Sequence, residues 1–209
     1  MTPSGNARHD DVRAKALEDM RRFEVVMEGH FDYGNGFHGK LYLNPHRLLQ
    51  WPSTIWRFAQ DLIDVLPVDF IEQAEVIAGP ATGGAIVAHT MAGLLDGRRP
   101  MTHPAYSFAP FGDQEGQPTL SPFYAKSMHG RRVLIVDDVR NTGTTFKRCA
   151  DLVVQAGGTV IGTVQIVDRC EACVSLAVPN VALVEYTAPP NYPAASCPLC
   201  EEKVPITSF

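Results

Sequence analysis

Apolar residues recur at helical spacing in the first part of the chain. Within residues 12–28 they follow three- and four-residue steps, which predicts a helix. The residues at these steps are Val12, Ala16, Met20, Phe23 and Met27. Residues 29–46 are rich in glycine and aromatic side chains, and they predict an irregular hairpin with a short strand. A second helix is predicted to begin at Pro52 and to end where Pro67 stops it.

From residue 75 onward, apolar strands alternate with glycine-containing turns and helices. Strands are predicted at residues 75–78, 132–136, 159–167 and 181–186, and helices at residues 84–95 and 145–156. This order predicts an α/β fold with a doubly wound, mainly parallel sheet. Ligands of such sheets bind at the carboxyl ends of the strands, where the first two glycine turns fall. Residues 108–130 lack periodicity, so we expect a long mobile loop there.

The patterns divide the chain into three predicted parts. Residues 1–46 form an N-terminal helix and a small hood segment, residues 47–187 form the α/β core, and residues 188–209 form a proline-rich tail that contains cysteines. Trp51 and Trp56 flank the start of the second helix, and we expect both indoles to pack in the core.

One segment combines a buried strand, two acids and a polar turn. Asp137 and Asp138 follow the apolar strand, and the turn through Gly143 leads into a helix. Backbone N–H groups at a helix N-terminus suit a phosphate dianion, whereas carboxylates suit ribose hydroxyls or a metal reached through water. The segment therefore matches a ribose 5-phosphate, although a strand-to-helix connection without a ligand is the plain alternative. The candidate phosphate-binding residues are Arg140, Asn141, Thr142, Gly143, Thr144 and Thr145.

The turn after the strand at residues 75–78 is a second glycine turn that leads into a helix. The backbone amides around Thr82, Gly83 and Gly84 could bind a second anionic group at a helix N-terminus. Glycines in strand-to-helix turns also allow close packing. This turn taken alone is therefore weaker evidence for a bound anion than the turn that follows Asp137 and Asp138. Two such turns together match a ligand with phosphate groups at opposite ends.

The two turns resemble the substrate-binding motifs of type I phosphoribosyltransferases, and those of orotate phosphoribosyltransferases in particular. The resemblance implies transfer of a phosphoribosyl group from 5-phosphoribosyl-1-pyrophosphate (PRPP) to a nucleobase, orotate first of all, in pyrimidine nucleotide biosynthesis. It implies that the catalytic Asp137 and Asp138 hold the ribose hydroxyls, with Mg²⁺ reached through PRPP, and that residues 141–145 hold the 5-phosphate. Ala81, Thr82, Gly83 and Gly84, with Lys40, would hold the pyrophosphate.

Further motifs are similar to the orotate enzymes. Asp168, Arg169, Cys170 and Glu171 match the family's D-R-x-E element, so Arg169 would pair with the orotate carboxylate. A guanidinium suits a carboxylate through two parallel hydrogen bonds, but an ordinary surface pair between Asp168 and Arg169 is the alternative. Residues 35–42 resemble the family's base-covering hood, where Phe37 is a candidate base contact or a core residue.

The chain departs from the family pattern at its catalytic loop. The family carries a basic mobile loop here, whereas residues 107–116 contain no lysine, arginine or histidine and two acids, Asp113 and Glu115. Lys126, His129 or Arg131 could substitute. Asn141 also replaces a threonine of the phosphate turn. Two alternatives therefore stay open: another acceptor base, such as a purine, or a catalytically weak PRPP-binding regulatory protein.

The cysteines suggest a second metal. Two C-x-x-C pairs, Cys170 with Cys173 and Cys197 with Cys200, have a spacing close to that of structural Zn²⁺ sites, and reduced thiols are the alternative. The histidines show no metal spacing, so we expect ordinary surface or hydrogen-bonded roles for them. These histidines are His30, His38, His89, His103 and His129.

Composition narrows the kinds of partner and the cellular location that we expect for the protein. The formal net charge of −5 argues against a nucleic-acid partner. No apolar run approaches the ~20 residues that span a bilayer, and residues 1–11 lack the apolar core of a signal peptide, so we expect no membrane partner and a cytoplasmic location. The expected partners are PRPP and a nucleobase, and the family resemblance adds a homodimer.

Overall fold

The computed structural model of the protein describes residues 5–32, 36–170, 174–187 and 189–208. The helices are α1 (Gly5–Arg22), α2 (His46–Leu49), α3 (Pro52–Val65), α4 (Val68–Gln73), α5 (Gly83–Arg98), α6 (Pro122–Met128), α7 (Thr144–Gln155) and α8 (Pro198–Glu201). The strands are β1 (Val26–Asp32), β2 (Phe37–Leu43), β3 (Val76–Pro80), β4 (Ser107–Gln114), β5 (Gln117–Thr119), β6 (Arg132–Arg140), β7 (Thr159–Asp168), β8 (Asn180–Glu185), β9 (Tyr192–Pro193) and β10 (Thr207–Ser208). A short 3₁₀ turn, Ala194–Ser196, precedes α8.

A six-stranded sheet forms the centre of the molecule, in the order β5-β4-β3-β6-β7-β8. Every neighbouring pair is parallel except β4 with β5. Alternate residues of β6 face opposite layers: Leu134 and Val136 pack with α3 and α5, while Val133 and Ile135 pack with α7. Because helices cover both faces, these apolar strands are buried on both sides, and the prediction of a doubly wound α/β fold is confirmed.

A smaller sheet, in the order β10-β1-β2-β9, joins the two ends of the chain. The hood hairpin of β1 and β2 forms its centre, and two short strands of the tail lie on its edges. His38 of β2 is the register partner of Tyr192, and Asp32 of β1 is that of Ser208. The hood and the Cys-containing tail therefore form one structural layer beside the core, although the sequence boundaries at residues 46 and 187 stay predictions.

Two predictions in the N-terminal part were wrong. Helix α1 ends at Arg22, and Met27 lies in strand β1 opposite Tyr42, because Glu24 turns the chain with φ of 55°. The three- and four-residue spacing of apolar residues extends to Met27 by chance, although Met27 lies in the strand. Trp51 and Trp56 are 58% and 52% exposed, so they do not pack in the core.

Residues 108–130 are regular structure, and the prediction of a long mobile loop was wrong. Strand β4 extends the sheet beside β3, turns at Glu115 and Gly116, and returns as β5 before α6 begins. Alternation of buried Ala109 and Phe111 with more open neighbours is a strand pattern, but Pro110 and Gly112 obscure it in the sequence. Among the described residues, no helix has both the length and the apolar character that crossing a membrane requires.

Candidate active site

The two glycine turns open at the same edge of the sheet. Strands β3 and β6 are parallel neighbours, and the turns follow their carboxyl ends. Thr82 caps the start of α5, and Gly143 caps the start of α7. Two helix N-termini, whose first backbone N–H groups have no acceptor within the helix, therefore point toward one crevice, which is the usual ligand position in this class of fold.

The first turn lies directly against the two acids. A Cβ atom added at Gly84 would lie 2.6 Å from Oδ1 of Asp137, and one added at Gly83 would collide with the carboxylate of Asp138. The peptide bond between Ala81 and Thr82 is cis. Since any side chain at residues 83 and 84 would displace the acids, only glycine allows the turn and the carboxylates to share one site.

Burial and proximity set the charge of the acidic pair. Asp137 is 7% exposed, and its Oδ1 accepts a 2.9 Å hydrogen bond from the backbone N–H of Asp138. Desolvation raises the pKa of Asp137 well above its ordinary value, and the neighbouring carboxylate of Asp138 raises it further. A pair in this state gains from hydroxyl donors or a cation placed beside it, so the site fits both a sugar diol and Mg²⁺.

The second turn is shaped for an anion. Gly143 adopts φ of 84°, and a Cβ atom there would collide with the carbonyl oxygen of Val174. The hydroxyls of Thr142 and Thr144 lie 2.9 Å apart and share a hydrogen bond. The first turn of α7, which includes Thr145, leaves its backbone N–H groups without helical acceptors. These donors match the sequence-based expectation for residues 141–145, whose contact with a phosphate stays a prediction.

Arg140 braces this turn from the sheet side. Its Nη1 donates to Oδ2 of Asp168 at 3.0 Å, and its Nη2 donates to the carbonyl oxygen of Val174 at 2.9 Å. Asp168 also accepts hydrogen bonds from Gln165, Asn180 and the backbone N–H of Cys170. No local sequence pattern marks this network, because its members are distant in the chain. With its guanidinium engaged here, Arg140 holds the turn in place, and its predicted phosphate contact stays untested.

A cavity of about 250 Å³ lies between the hood and the phosphate turn. Its walls are Leu41, Tyr42, Leu43, Pro45, Val139, Asn141, Arg169 and Asn191. Arg169, which the sequence analysis placed at the base, is at this cavity, and its Nη1 donates to Oδ1 of Asn141 at 3.3 Å. Asn191, a residue of the tail, was not anticipated, because nothing in its local sequence marks it.

The other predicted hood contacts lie elsewhere. Phe37 is at the start of β2, 44% exposed, and pairs with Pro193 of the tail. It is not among the residues found to line the cavity in the described parts of the chain. Lys40 is exposed on the same strand. The base contact of Phe37 and the pyrophosphate contact of Lys40 therefore stay predictions without a geometric argument behind them.

The hairpin of β4 and β5 stands beside the first glycine turn. The backbone N–H of Ala81 donates to the carbonyl oxygen of Phe111 at 2.9 Å, which ties the turn to β4.

Two candidate replacements for the missing loop cation are at the wrong end of the sheet. His129 and Arg131 precede β6, about 20 Å from Asp138 along a strand that rises about 3.3 Å per residue. The exposed Lys126 on α6 stays an open candidate.

The four-cysteine zinc set is not the grouping that the described residues form. Cys173 and Glu171 lie outside the described residues, and Sγ of Cys170 contacts the backbone oxygen of Asp168 at 3.7 Å. Cys197 and Cys200 instead gather with His30 and His38. His30 and His38 make the hydrogen bond expected of them, at 3.1 Å, but the hairpin and the tail also bring them beside the two cysteines, which their sequence spacing does not indicate.

The fold and this site define a class: α/β proteins with two glycine turns and an acidic pair at the carboxyl edge of a parallel sheet. The chain matches the phosphoribosyl transferase domain family over residues 48–176. It is 31% identical over 194 residues to the orotate phosphoribosyltransferase of Caldanaerobacter subterraneus subsp. tengcongensis, covering 93% of this chain and 95% of that one. The chain therefore belongs to the phosphoribosyltransferase family.

Solved structures agree on the fold. Orotate phosphoribosyltransferase from Aeropyrum pernix superposes with a TM-score of 0.63 at 24% identity, covering 80% of this chain and 92% of that one. The Mycobacterium tuberculosis enzyme, solved in complex with PRPP, gives a TM-score of 0.54 at 18% identity, covering 84% and 89%. At these identities the structures support the architecture alone.

Proposed function

We propose that this enzyme transfers the 5-phosphoribosyl group of PRPP to orotate, forming orotidine 5′-phosphate and pyrophosphate. The observation that carries the proposal is the direct contact of the Gly83–Gly84 turn with Asp137 and Asp138. This contact sets one candidate anion-binding turn against the two acids, and the other candidate turn follows at the end of β6, which supports binding of a ribose with phosphate groups at both ends. Curated relatives named orotate phosphoribosyltransferase support the choice of base.

The residues of the crevice would bind PRPP by its two charged ends. The N–H groups of residues 141–145, at the start of α7, would receive the 5-phosphate, and those of residues 81–84, at the start of α5, would receive the pyrophosphate. Between them, Asp137 and Asp138 would accept hydrogen bonds from the ribose hydroxyls. Fixing the sugar at three points presents C1 toward the cavity that Arg169 lines.

The reaction separates pyrophosphate from C1 while the base approaches. Mg²⁺ bound through PRPP would supply positive charge beside the leaving group. The amides of residues 81–84 are fixed by the turn, so they offset the charge that develops on the pyrophosphate without reorganising. The two carboxylates favour the cationic character that develops on the ribose, and Asp137 lies in a poorly solvated position where such interactions are strong.

The base would occupy the cavity between the hood and the phosphate turn. Arg169 would form paired hydrogen bonds with the orotate carboxylate, and Tyr42 and Leu43 would supply apolar surface for the ring. Because β2 and the tail both contribute walls, the hood sheet would exclude water from the reacting centre. Homodimer formation and a cytoplasmic location belong to this proposal through the family resemblance and the composition.

The hairpin of β4 and β5 favours a second candidate function, a PRPP-binding regulatory protein with weak catalysis. Asp113 and Glu115 stand near its turn, where the resemblance places a basic loop. Loss of one hydrogen-bond donor that stabilises a developing anion typically lowers the rate by about 10²–10³-fold. If the protein is an orotate transferase, we therefore expect slow but base-specific turnover. If it is a regulatory protein, we expect PRPP binding without product.

Two assays separate these functions. PRPP with Mg²⁺ should raise the melting temperature of the protein by mass action, and the Asp137→Asn/Asp138→Asn double variant should lose that shift. Turnover is then measured with orotate, uracil, adenine, guanine and hypoxanthine. Product formed from orotate alone supports the proposal, and product from a purine contradicts it. A PRPP shift without product from any base selects the regulatory function.

A further inference from the structure

Two histidines of the hood and two cysteines of the tail converge on one point. His30 lies on β1, His38 lies on β2, and Cys197 and Cys200 lie at the start of α8 and within it. One ligand atom from each side chain lies within 4.8 Å of every other. We propose that these four residues bind a structural Zn²⁺ ion that fastens the C-terminal tail to the hood.

The distances match a tetrahedral site. With Zn–N bonds of about 2.05 Å and Zn–S bonds of about 2.3 Å, a tetrahedron has edges of about 3.3 Å between nitrogens and about 3.6 Å between nitrogen and sulfur. Nε2 of His30 lies 3.1 Å from Nδ1 of His38. Sγ of Cys200 lies 3.8 Å from the first of these nitrogens and 3.3 Å from the second, and Sγ of Cys197 lies 3.6 Å from Nε2 of His30. The group therefore has room for one ion at its centre.

The outer nitrogen of His30 has the kind of partner that metal-binding histidines use, and a carboxylate lies near the outer nitrogen of His38. Nδ1 of His30 is 2.9 Å from the carbonyl oxygen of Val204, so it donates there and leaves Nε2 as a lone pair facing the cluster. Nε2 of His38 faces a carboxylate oxygen of Asp32 at 4.0 Å, and its Nδ1 faces inward. The carbonyl thus orients the imidazole of His30, and a carboxylate lies near the outer nitrogen of His38 without a direct hydrogen bond.

A metal-free hydrogen bond between the histidines explains less. It accounts for the contact between His30 and His38, and weak S–H···N bonds account for the thiols, but it gives no reason for four ligand atoms to converge on one point. His30, His38 and Cys197 are 2%, 7% and 1% exposed, respectively, so the inner part of the cluster is largely shielded from water. When the two thiols lose their protons, the four inward-facing atoms become electron-pair donors in a largely buried setting, which is an environment that favours a cation.

The site has no open coordination position, which marks it as structural rather than catalytic. Its task follows from the tail strands: β9 and β10 contain two residues each, too few to hold the tail on the hood by pairing alone. The tail matters because Asn191, just before β9, lines the cavity beside Arg169. An ion that fixes Cys197 and Cys200 to β1 and β2 therefore fixes one wall of that cavity.

Metal content tests the ligand set directly. Protein purified without chelators should contain one equivalent of zinc by plasma mass spectrometry, and the Cys197→Ser/Cys200→Ser variant should contain almost none. Cys170→Ser is the matched control and should keep the zinc, because Cys170 contacts Asp168 instead. Absence of zinc from the unaltered protein, even after incubation with ZnCl₂, would overturn the proposal. Loss of zinc from the Cys170 variant would do the same.

A conservative exchange distinguishes metal binding from general damage to the fold. His38→Ala should abolish zinc binding, whereas His38→Cys should retain it, because three cysteines and one histidine also form a common zinc set. After substitution with Co²⁺, the unaltered protein should show visible bands of a tetrahedral site with thiolate charge transfer. The charge-transfer intensity of His38→Cys should rise by about one half as thiolates increase from two to three. An octahedral, weakly coloured Co²⁺ spectrum would contradict the site.

Hydrogen exchange tests the structural role without reference to any activity. Removing the metal should raise exchange in residues 191–208 and in β1 and β2, while β6 and β7 of the core stay protected. Equal exchange with and without metal would contradict the fastening role. The proposal is independent of the proposed transferase activity, since each of these measurements can succeed or fail whether or not orotate is converted.

Discussion

Gly84 and Asp137 lie so close that an alanine methyl at residue 84 would stand 2.6 Å from the Oδ1 atom of the aspartate. Gly84 lies in the first turn of α5 and Asp137 lies in β6, more than fifty positions further along the chain. Their contact is possible because β3 and β6 are parallel neighbours in the sheet. It merges a candidate pyrophosphate site and a candidate ribose site into one crevice, and the functional proposal depends on it.

Gly84→Ala should remove PRPP binding. The added methyl must displace the carboxylate of Asp137 or the ring of Pro80, so we expect loss of the PRPP–Mg²⁺ thermal shift and a loss of stability of about 1–3 kcal/mol from overpacking. Gly93→Ala on the same helix is the control, because a Cβ atom there meets nothing within 4 Å. That variant should be about 0.5–1 kcal/mol more stable and should keep the thermal shift. A normal shift for Gly84→Ala would contradict the shared crevice.

The raised pKa of Asp137 predicts a specific pH dependence of stability. An unfolded aspartate ionises near pH 3.8, whereas burial keeps the folded side chain protonated to higher pH. As pH rises from about 4 through the folded pKa, the unfolded state releases its proton first, so this group lowers the stability of the protein. Asp137→Asn should remove that loss, about 1.4 kcal/mol for each unit by which the pKa is raised.

Denaturant unfolding of both proteins at several pH values measures this difference. The stability gain of Asp137→Asn should be close to zero near pH 3 and should grow toward neutral pH. Over the same range, affinity of the unaltered protein for PRPP–Mg²⁺ should rise, because ribose hydroxyls donate to the ionised carboxylate. A gain that is constant with pH would show that ionisation of Asp137 is not its source.

Asp168 should prove more important for stability than an exposed acid in a comparable ion pair. Its pair with Arg140 is buried, with side chains 6% and 15% exposed, and removal of one partner leaves a buried charge unpaired. We expect Asp168→Ala to cost about 3–5 kcal/mol in urea unfolding. Asp151→Ala, which breaks the exposed pair with Lys147, should cost at most about 0.5 kcal/mol. Similar losses for the two variants would contradict the bracing role of Arg140.

Arg169→Ala should affect the base and spare PRPP. Removing hydrogen bonds to a charged group is worth about 1.5–3 kcal/mol, so kcat/KM for orotate should fall by about 10- to 100-fold. The KM for PRPP should change less, because the backbone N–H groups proposed to hold the 5-phosphate do not depend on Arg169, whose hydrogen bond to the Asn141 side chain is long. Arg169→Lys keeps the charge but loses the paired geometry, so it should recover only part of the loss. An equal rise in both KM values would count against a base-specific role.

The sequence predicted most of the α/β core because its signals are local. Short apolar runs such as residues 133–136, bounded by polar residues and turns, favour buried strands, and each glycine turn marks where a strand meets a helix. The acids at residues 137 and 138 are adjacent to such a strand, so their position at the sheet edge followed from the same pattern. Strand β4 was missed because Pro110 and Gly112 mask its alternation.

Sequence patterns do not predict contacts between residues that are far apart in the chain. Arg140 and Asp168 meet because β6 and β7 pair in register, and the register between parallel strands is not visible in either strand alone. His38 and Cys200 meet only because β9 adds to the hood hairpin. The zinc prediction therefore paired the cysteines by sequence spacing and overlooked both histidines.

A crystal structure with PRPP and Mg²⁺ bound tests the central claim most directly. The account predicts the 5-phosphate at residues 141–145, the pyrophosphate at residues 81–84, and the ribose hydroxyls on Asp137 and Asp138. Density for PRPP at another surface, or a 5-phosphate at residues 81–84, would contradict it.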